Sequence, residues 1–163
     1  MAHSVTLLSL GMPANEPPIL SAALIESLAD AVIFADRAGL IQRWNPGAQA
    51  VFGYTEDEVL GQSLDVIIPE RLRPSHWAGF NAAIESGTMK HGRESMTTKS
   101  IHKDGRDLYL DLSFALVRDR SGEVLGAVAV ARDITARFEA DRESRRRLAA
   151  LEEQIRALEQ QSA

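Results

Sequence analysis

Among the side chains of this chain that can hold a metal, a proton or a ligand, His76 has the most demanding setting. It lies in Ile67-Ile68-Pro69-Glu70-Arg71-Leu72-Arg73-Pro74-Ser75-His76-Trp77. There Leu72, His76, Phe80, Ala83 and Ile84 recur at the spacing of one helical stripe. An imidazole on an otherwise apolar stripe needs a partner, because a buried polar group left unpaired costs about 1–3 kcal/mol. A carbonyl oxygen or a metal ion would serve. The remaining histidines are less constrained: His3 falls in an N-terminal tail, and His91 and His102 read as exposed strand and turn residues. No nucleophile sits beside a base, and carboxylates such as Asp65 and Glu70 are scattered, so the sequence gives no sign of an enzyme.

Composition narrows the chemistry further. The 163 residues contain no cysteine, which removes disulfides, thiol catalysis, cysteine-based zinc sites and cysteinyl adducts to a flavin or linear tetrapyrrole. A net charge of −5 argues against direct nucleic-acid binding. The apolar patch Val5 to Leu10 has no basic residue before it and is broken by Gly11 and Pro13, so it reads as neither a membrane span nor a secretory signal. A cytoplasmic protein is the expectation.

The elements that must position His76 can be read from periodicity and turn chemistry. Residues 1–18 form a disordered or loosely docked tail, and Ile19 to Leu28 gives an apolar-periodic leading helix. Ala31 to Ala35 and Leu40 to Trp44 make a hairpin around Asp36-Arg37-Ala38-Gly39. Asn45 caps a short helix beginning at Pro46, and Thr55 with Glu58 forms a capping box for a second. The helix bearing His76 starts at Pro69 or Pro74 and ends at Gly87. Three strands follow: one between Gly92 and Ile101, then Leu108 to Val117 and Val124 to Asp133. In the second of these, Leu108, Leu110, Leu112, Phe114 and Leu116 alternate with Tyr109, Asp111 and Ser113, giving one buried and one wetter face. Residues 135–163 carry a final helix too polar for a core. Its Leu148, Leu151, Ile155 and Leu158 are spaced as a heptad seam that would join two copies. The sum is an α+β domain with five antiparallel strands and helices grouped on one face.

These pieces, in this order, resemble a PAS domain. The resemblance is carried by Ala31 to Gly39, Trp44-Asn45-Pro46, Phe52-Gly53-Tyr54-Thr55-Glu56-Asp57-Glu58-Val59-Leu60-Gly61, Lys103-Asp104-Gly105 and Arg132-Asp133-Ile134-Thr135, and it spans about residues 22–137. It implies the PAS fold over 19–134, including the leading helix, and a sensing or association role. Asp133 and Thr135 would anchor the start of an output helix that signals to a downstream protein or through a homodimer.

Within that family, Pro69 to His76 looks most like the oxygen-sensing haem domains of the FixL and Dos kind, and the likeness puts His76 at the proximal iron ligand of a haem b. Neutral imidazole suits iron. By the same resemblance Met96 falls where the distal arginine of those sensors sits and becomes a possible distal ligand. Glu94 falls where one subgroup carries a ligating methionine. Leu112 and Phe114 would line the distal face, His91 would reach a propionate or the distal side, and Lys90 or Arg93 would neutralise a propionate. Ala82 replaces the family's propionate-binding arginine. The implied function is sensing of a diatomic gas (O2, CO or NO) or of redox state. The alternatives are a cofactor-free dimerisation module and a sensor of FAD or another small ligand.

Overall fold

The structure is a computed structural model that describes residues 18–89 and 94–161. The expected tail and the segment holding Lys90, His91 and Arg93 lie outside the described residues. In chain order the elements are α1 (Pro18–Glu26), β1 (Ala31–Asp36), β2 (Ile41–Trp44), α2 (Pro46–Phe52), α3 (Glu56–Val59), α4 (Arg73–Ser86), β3 (Met96–Ile101), β4 (Asp107–Arg118), β5 (Val124–Asp133) and α5 (Thr135–Gln161). Short 3-10 turns at Leu64–Val66 and Glu70–Leu72 lead into α4. The strands form one antiparallel sheet in the order β2-β1-β5-β4-β3.

One face of the sheet is the core face. Ile33, Leu108, Leu110 and Ala131 from the sheet pack with Ile41 and Trp44, with Ala48 and Phe52 of α2, and with Val59 and Ile67. Trp44 and Phe52 meet with ring centroids 5.2 Å apart, and Trp44 Nε1 donates to the Tyr54 carbonyl at 3.0 Å. The indole is thus fully buried with its one donor satisfied. The alternation expected of β4 holds, with Leu108 and Leu110 buried here and Tyr109 on the opposite face.

Asn45 joins the first third of the chain. Its side chain is buried, and Oδ1 accepts from the backbone N–H of Val32 and of Ala48, both at 2.8 Å. Nδ2 donates to the carbonyls of Ile25 (3.1 Å) and Asp30 (3.0 Å), with that of Leu28 at 3.4 Å. One carboxamide therefore caps α2, ties β1 and holds the end of α1.

The leading helix does not contribute its apolar residues to the core: Leu24, Ile25 and Leu28 are exposed, and the Ile25 carbonyl accepts from Asn45. One expectation needs correction. His102 is not an exposed turn residue. Its ring is half-buried over Gly53, so close that a Cβ on Gly53 would meet Nε2 at 2.5 Å, and Nδ1 accepts from the Asp104 N–H at 3.1 Å. The Phe52 carbonyl draws the same turn inward through the Lys103 N–H at 2.9 Å. No helix among the described residues is long and apolar enough to cross a membrane.

Replacing Asn45 by alanine strips partners from two buried N–H groups and leaves carbonyls of the α1 turn unsatisfied. The expected loss is about 2–4 kcal/mol of folding stability. Urea denaturation should show a lower midpoint with an unchanged slope.

Candidate functional site

α4 is set by the turns before it. Pro74 occupies its first turn, where a missing N–H costs nothing, and Ser75 Oγ donates to the Leu72 carbonyl at 2.9 Å. Arg73 reaches back, with Nε donating to the Ile68 carbonyl at 3.2 Å and Nη2 to the Asp65 carbonyl at 3.1 Å. Trp77 Nε1 donates to Asp65 Oδ1 at 2.8 Å. The far end closes at Gly87, in the left-handed region with φ 65°, while Arg118 donates to the Gly87 carbonyl.

Between α4 and the core face of the sheet lies a cavity of about 610 Å³, within the size range of cofactor and ligand sites. The whole expected stripe of α4 faces it: Leu72, His76, Phe80, Ala83 and Ile84. The opposite wall is Leu110, Leu112, Phe114 and Leu116 of β4. Met96, Thr98 and Ser100 of β3 form a side wall. Leu112 and Phe114 lie on the wall across from α4, and Met96 pairs in register with Leu112. Met96 is not a core residue: it borders the cavity at the sheet edge and is 36% exposed. Glu94 also borders the cavity, whereas Ala82 lies on the exposed side of α4. His91, with Lys90 and Arg93, lies outside the described residues. Lys99 adjoins the cavity, its ammonium paired with Asp107.

Sequence reasoning missed the residues that make the space. Ala127, Ala129 and Ala131 of β5 and Gly79 of α4 all border the cavity. The signal was available in β5, where alanines alternate with Val128 and Val130. Small side chains on the core-facing positions of an inner strand leave volume that no neighbour fills.

His76 is the polar feature of an apolar wall. Its Nδ1 is buried and has no hydrogen-bond partner among the described residues. Aromatic contacts hold the ring instead: Trp77 meets it edge-on at 5.0 Å between centroids, and Phe80 stacks at 6.0 Å. Trp77 is fixed by Asp65 and by Gly39, whose φ of 77° and missing Cβ let the indole lie against the hairpin turn. Burial pushes the imidazole below its usual pKa, with the Asp65 carboxylate pulling weakly the other way. A neutral imidazole with an unsatisfied buried nitrogen is a donor awaiting a partner. Among the described residues no group of three or more His, Cys, Asp or Glu is placed to hold a metal ion.

The sheet leads from this cavity to α5. Asp133 Oδ1 accepts from the Thr135 backbone N–H at 2.8 Å and from its hydroxyl at 2.5 Å. Thr135 Oγ1 in turn accepts from the Tyr109 N–H at 3.0 Å, and the Ile134 N–H donates to the Tyr109 carbonyl at 2.9 Å. The Tyr109 ring stacks on Phe138 at 3.9 Å. Asp133 and Thr135 thus anchor α5, and they fasten it to the strand that walls the cavity.

A five-stranded antiparallel sheet with a helix-roofed cavity and a helix anchored at the end of the last strand defines a PAS-type sensory domain. Residues 21–134 match the PAS fold, and the chain belongs to that family. It is 30% identical over 136 residues to the signal transduction histidine-protein kinase AtoS of Escherichia coli, covering 82% of this chain and 21% of the relative. It is 28% identical over 124 residues to the oxygen sensor protein DosP of the same organism, covering 69% and 14%. A shorter match to the sensor protein FixL of Bradyrhizobium diazoefficiens is 33% identical over 54 residues, covering 33% and 11%. The chain thus spans about a fifth or less of these curated relatives. Among solved structures, a PAS domain from Colwellia psychrerythraea superposes with a TM-score of 0.64 at 22% identity, covering 72% of this chain and 97% of that one.

The burial of His76 gives a pH signature. In the unfolded chain the imidazole takes up a proton at about pH 6.5, and in the fold only at lower pH. Between those values the unfolded chain binds more protons. The His76 contribution to stability is therefore complete above about pH 6.5 and lost as pH falls through the folded value. Urea titrations of the cofactor-free protein across this range should show that loss, and His76→Phe should flatten it.

Proposed function

We propose that this domain is a haem-binding sensor in which His76 is the proximal ligand of a b-type haem. The observation that carries the reading is the buried, unpartnered imidazole nitrogen in an apolar cavity opposite Leu112 and Phe114. The donor fits iron, and the small residues of β5 leave room for a large flat group. The likeness to proteins named as oxygen sensor and FixL supports the same choice. Bound there, a haem would supply an iron centre that takes a diatomic gas or changes oxidation state.

The chain's own residues would do the rest. Trp77 and Phe80 orient the ring. Leu112 and Phe114 exclude water from the opposite side. Met96, at the rim, would offer a thioether to the iron, and Lys90, Arg93 or His91 would meet the propionates. Output passes along β4, through Tyr109 and Thr135, into α5. There Leu148, Leu151, Ile155 and Leu158 join two copies and present the helix to a downstream signalling protein. The domain senses and relays in the cytoplasm without catalysing a reaction.

A cofactor-free association module is the second reading, favoured by one observation: Leu148, Leu151 and Ile155 are each more than half exposed on α5. Absorption spectra after haem reconstitution decide between the two. Wild-type protein is expected to give a Soret band that His76→Ala shifts or abolishes, and Met96→Ala should change the ferrous spectrum alone. An unchanged spectrum in His76→Ala removes His76 as the ligand. A protein that stays colourless with haem supports the association module, and one that purifies yellow with flavin absorption supports an FAD sensor.

A further inference from the structure

The two ends of α4 are tied unequally. At its start Arg73 donates to the Ile68 and Asp65 carbonyls, and Trp77 donates to the Asp65 carboxylate. Its middle roofs the cavity and has a void beneath it. At its far end, among the described residues, a single side chain makes the hydrogen bond between helix and sheet. Arg118 Nη2 donates to the Gly87 carbonyl, while Nη1 donates to the Gly122 carbonyl in the β4–β5 turn at 2.7 Å. One guanidinium thus pins the last turn of the roof to the tip of a hairpin.

The strand that walls the cavity places Arg118 for this. Leu110, Leu112, Phe114 and Leu116 line the cavity at every second position of β4, and Arg118 is next in that row. Pairing with β5 skips Leu125 there, since Val117 faces Gly126 and Arg118 faces Val124. An irregularity of this kind re-aims a side chain where a ladder ends. Gly87 supplies the other half of the fit. A Cβ on it would lie 2.8 Å from Arg118 Nη2, so its absence leaves the guanidinium room to reach the carbonyl. A cation at a helix C-terminus is also favoured by the helix dipole. Both bonds of Arg118 are exposed to water, and contacts of this kind open locally far more often than the whole fold does.

We propose that Arg118 is the latch of a hinged roof: α4 turns about its tied start, and release of the Gly87 carbonyl from Arg118 opens the cavity between Ile84 and Leu116. The latch governs access for any occupant and does not depend on His76 holding iron. Because the same guanidinium holds the Gly122 carbonyl, the β4–β5 turn sets its position.

The absence of cysteine lets single thiols report the opening. Ala127→Cys sets a thiol on the cavity wall beside Leu116, and Ala48→Cys sets one in the tight core around Trp44. The rate of reaction with dithiobis-nitrobenzoate reads how often each is uncovered. Adding Arg118→Ala is expected to speed labelling at the Ala127 site about ten-fold and to leave the Ala48 site unchanged. Arg118→Lys, which keeps a donor, should fall between. An unchanged rate at the Ala127 site would overturn the latch. Equal speeding at both sites would overturn it too, by making Arg118 a contributor to global stability. Hydrogen exchange on Arg118→Ala alone provides a readout without new thiols. The amides of Ile84, Glu85 and Ser86 should exchange about ten-fold faster, with those of β1 as before. Exchange of the three α4 amides at the wild-type rate would count against the latch as decisively.

Discussion

Much of this fold hangs on the burial of one carboxamide. Asn45 sits where the hairpin ends, the first short helix begins and the leading helix arrives, and all three present backbone groups to the same interior point. The Val32 and Ala48 N–H groups are buried there, and an apolar residue would leave each unpaired at a cost of about 1–3 kcal/mol. Asparagine offers an acceptor and two donors in one planar group, so it satisfies both kinds at once. With that corner fixed, Trp44 and Phe52 close the core beneath it, and β1 is held in register against β5. The cavity forms farther along the same sheet, where the packing is relaxed.

The division between a tight half and an open half follows from side-chain size. Around Trp44 large residues interlock, and Trp44, Phe52, Ile41 and Leu108 are fully buried. Toward α4, alanines on β5 and a glycine on the helix withdraw from one another, and the half-buried residues Leu112, Phe114 and Phe80 are left facing a void. A void of this size forfeits dispersion contacts that a filled core would have. The fold tolerates it because the other half and the Asn45 corner hold the sheet.

Much of this could be read from the residues themselves. Strand alternation in Leu108 to Leu116, the cap at Asn45, the stop at Gly87 and the stripe through His76 are local patterns, and local patterns survive into the structure. What could not be read depends on neighbours distant in sequence. That Met96 would stand at a rim could not be read from its own neighbours, because it follows from β3 being an edge strand whose end lies open. His102 looked solvent-bound until Gly53, about fifty residues earlier, came to lie under its ring. The apolar face of α1 gave no hint that it would stay exposed, because periodicity records a preference for burial and not the presence of a surface to bury against.

The stacking of Tyr109 on Phe138 has a mechanical consequence. Tyr109 lies between Leu108 and Leu110 on a strand whose other face borders the cavity, so the contact is the fulcrum of a long arm. The 27 residues of α5 extend about 40 Å at the helical rise. From Phe138 to the far end is about 35 Å, so a tilt of about five degrees at the fulcrum would move that end by about 3 Å. A small twist of β4, too slight to disturb any backbone bond in the sheet, is thereby geared up to a displacement the size of a side chain.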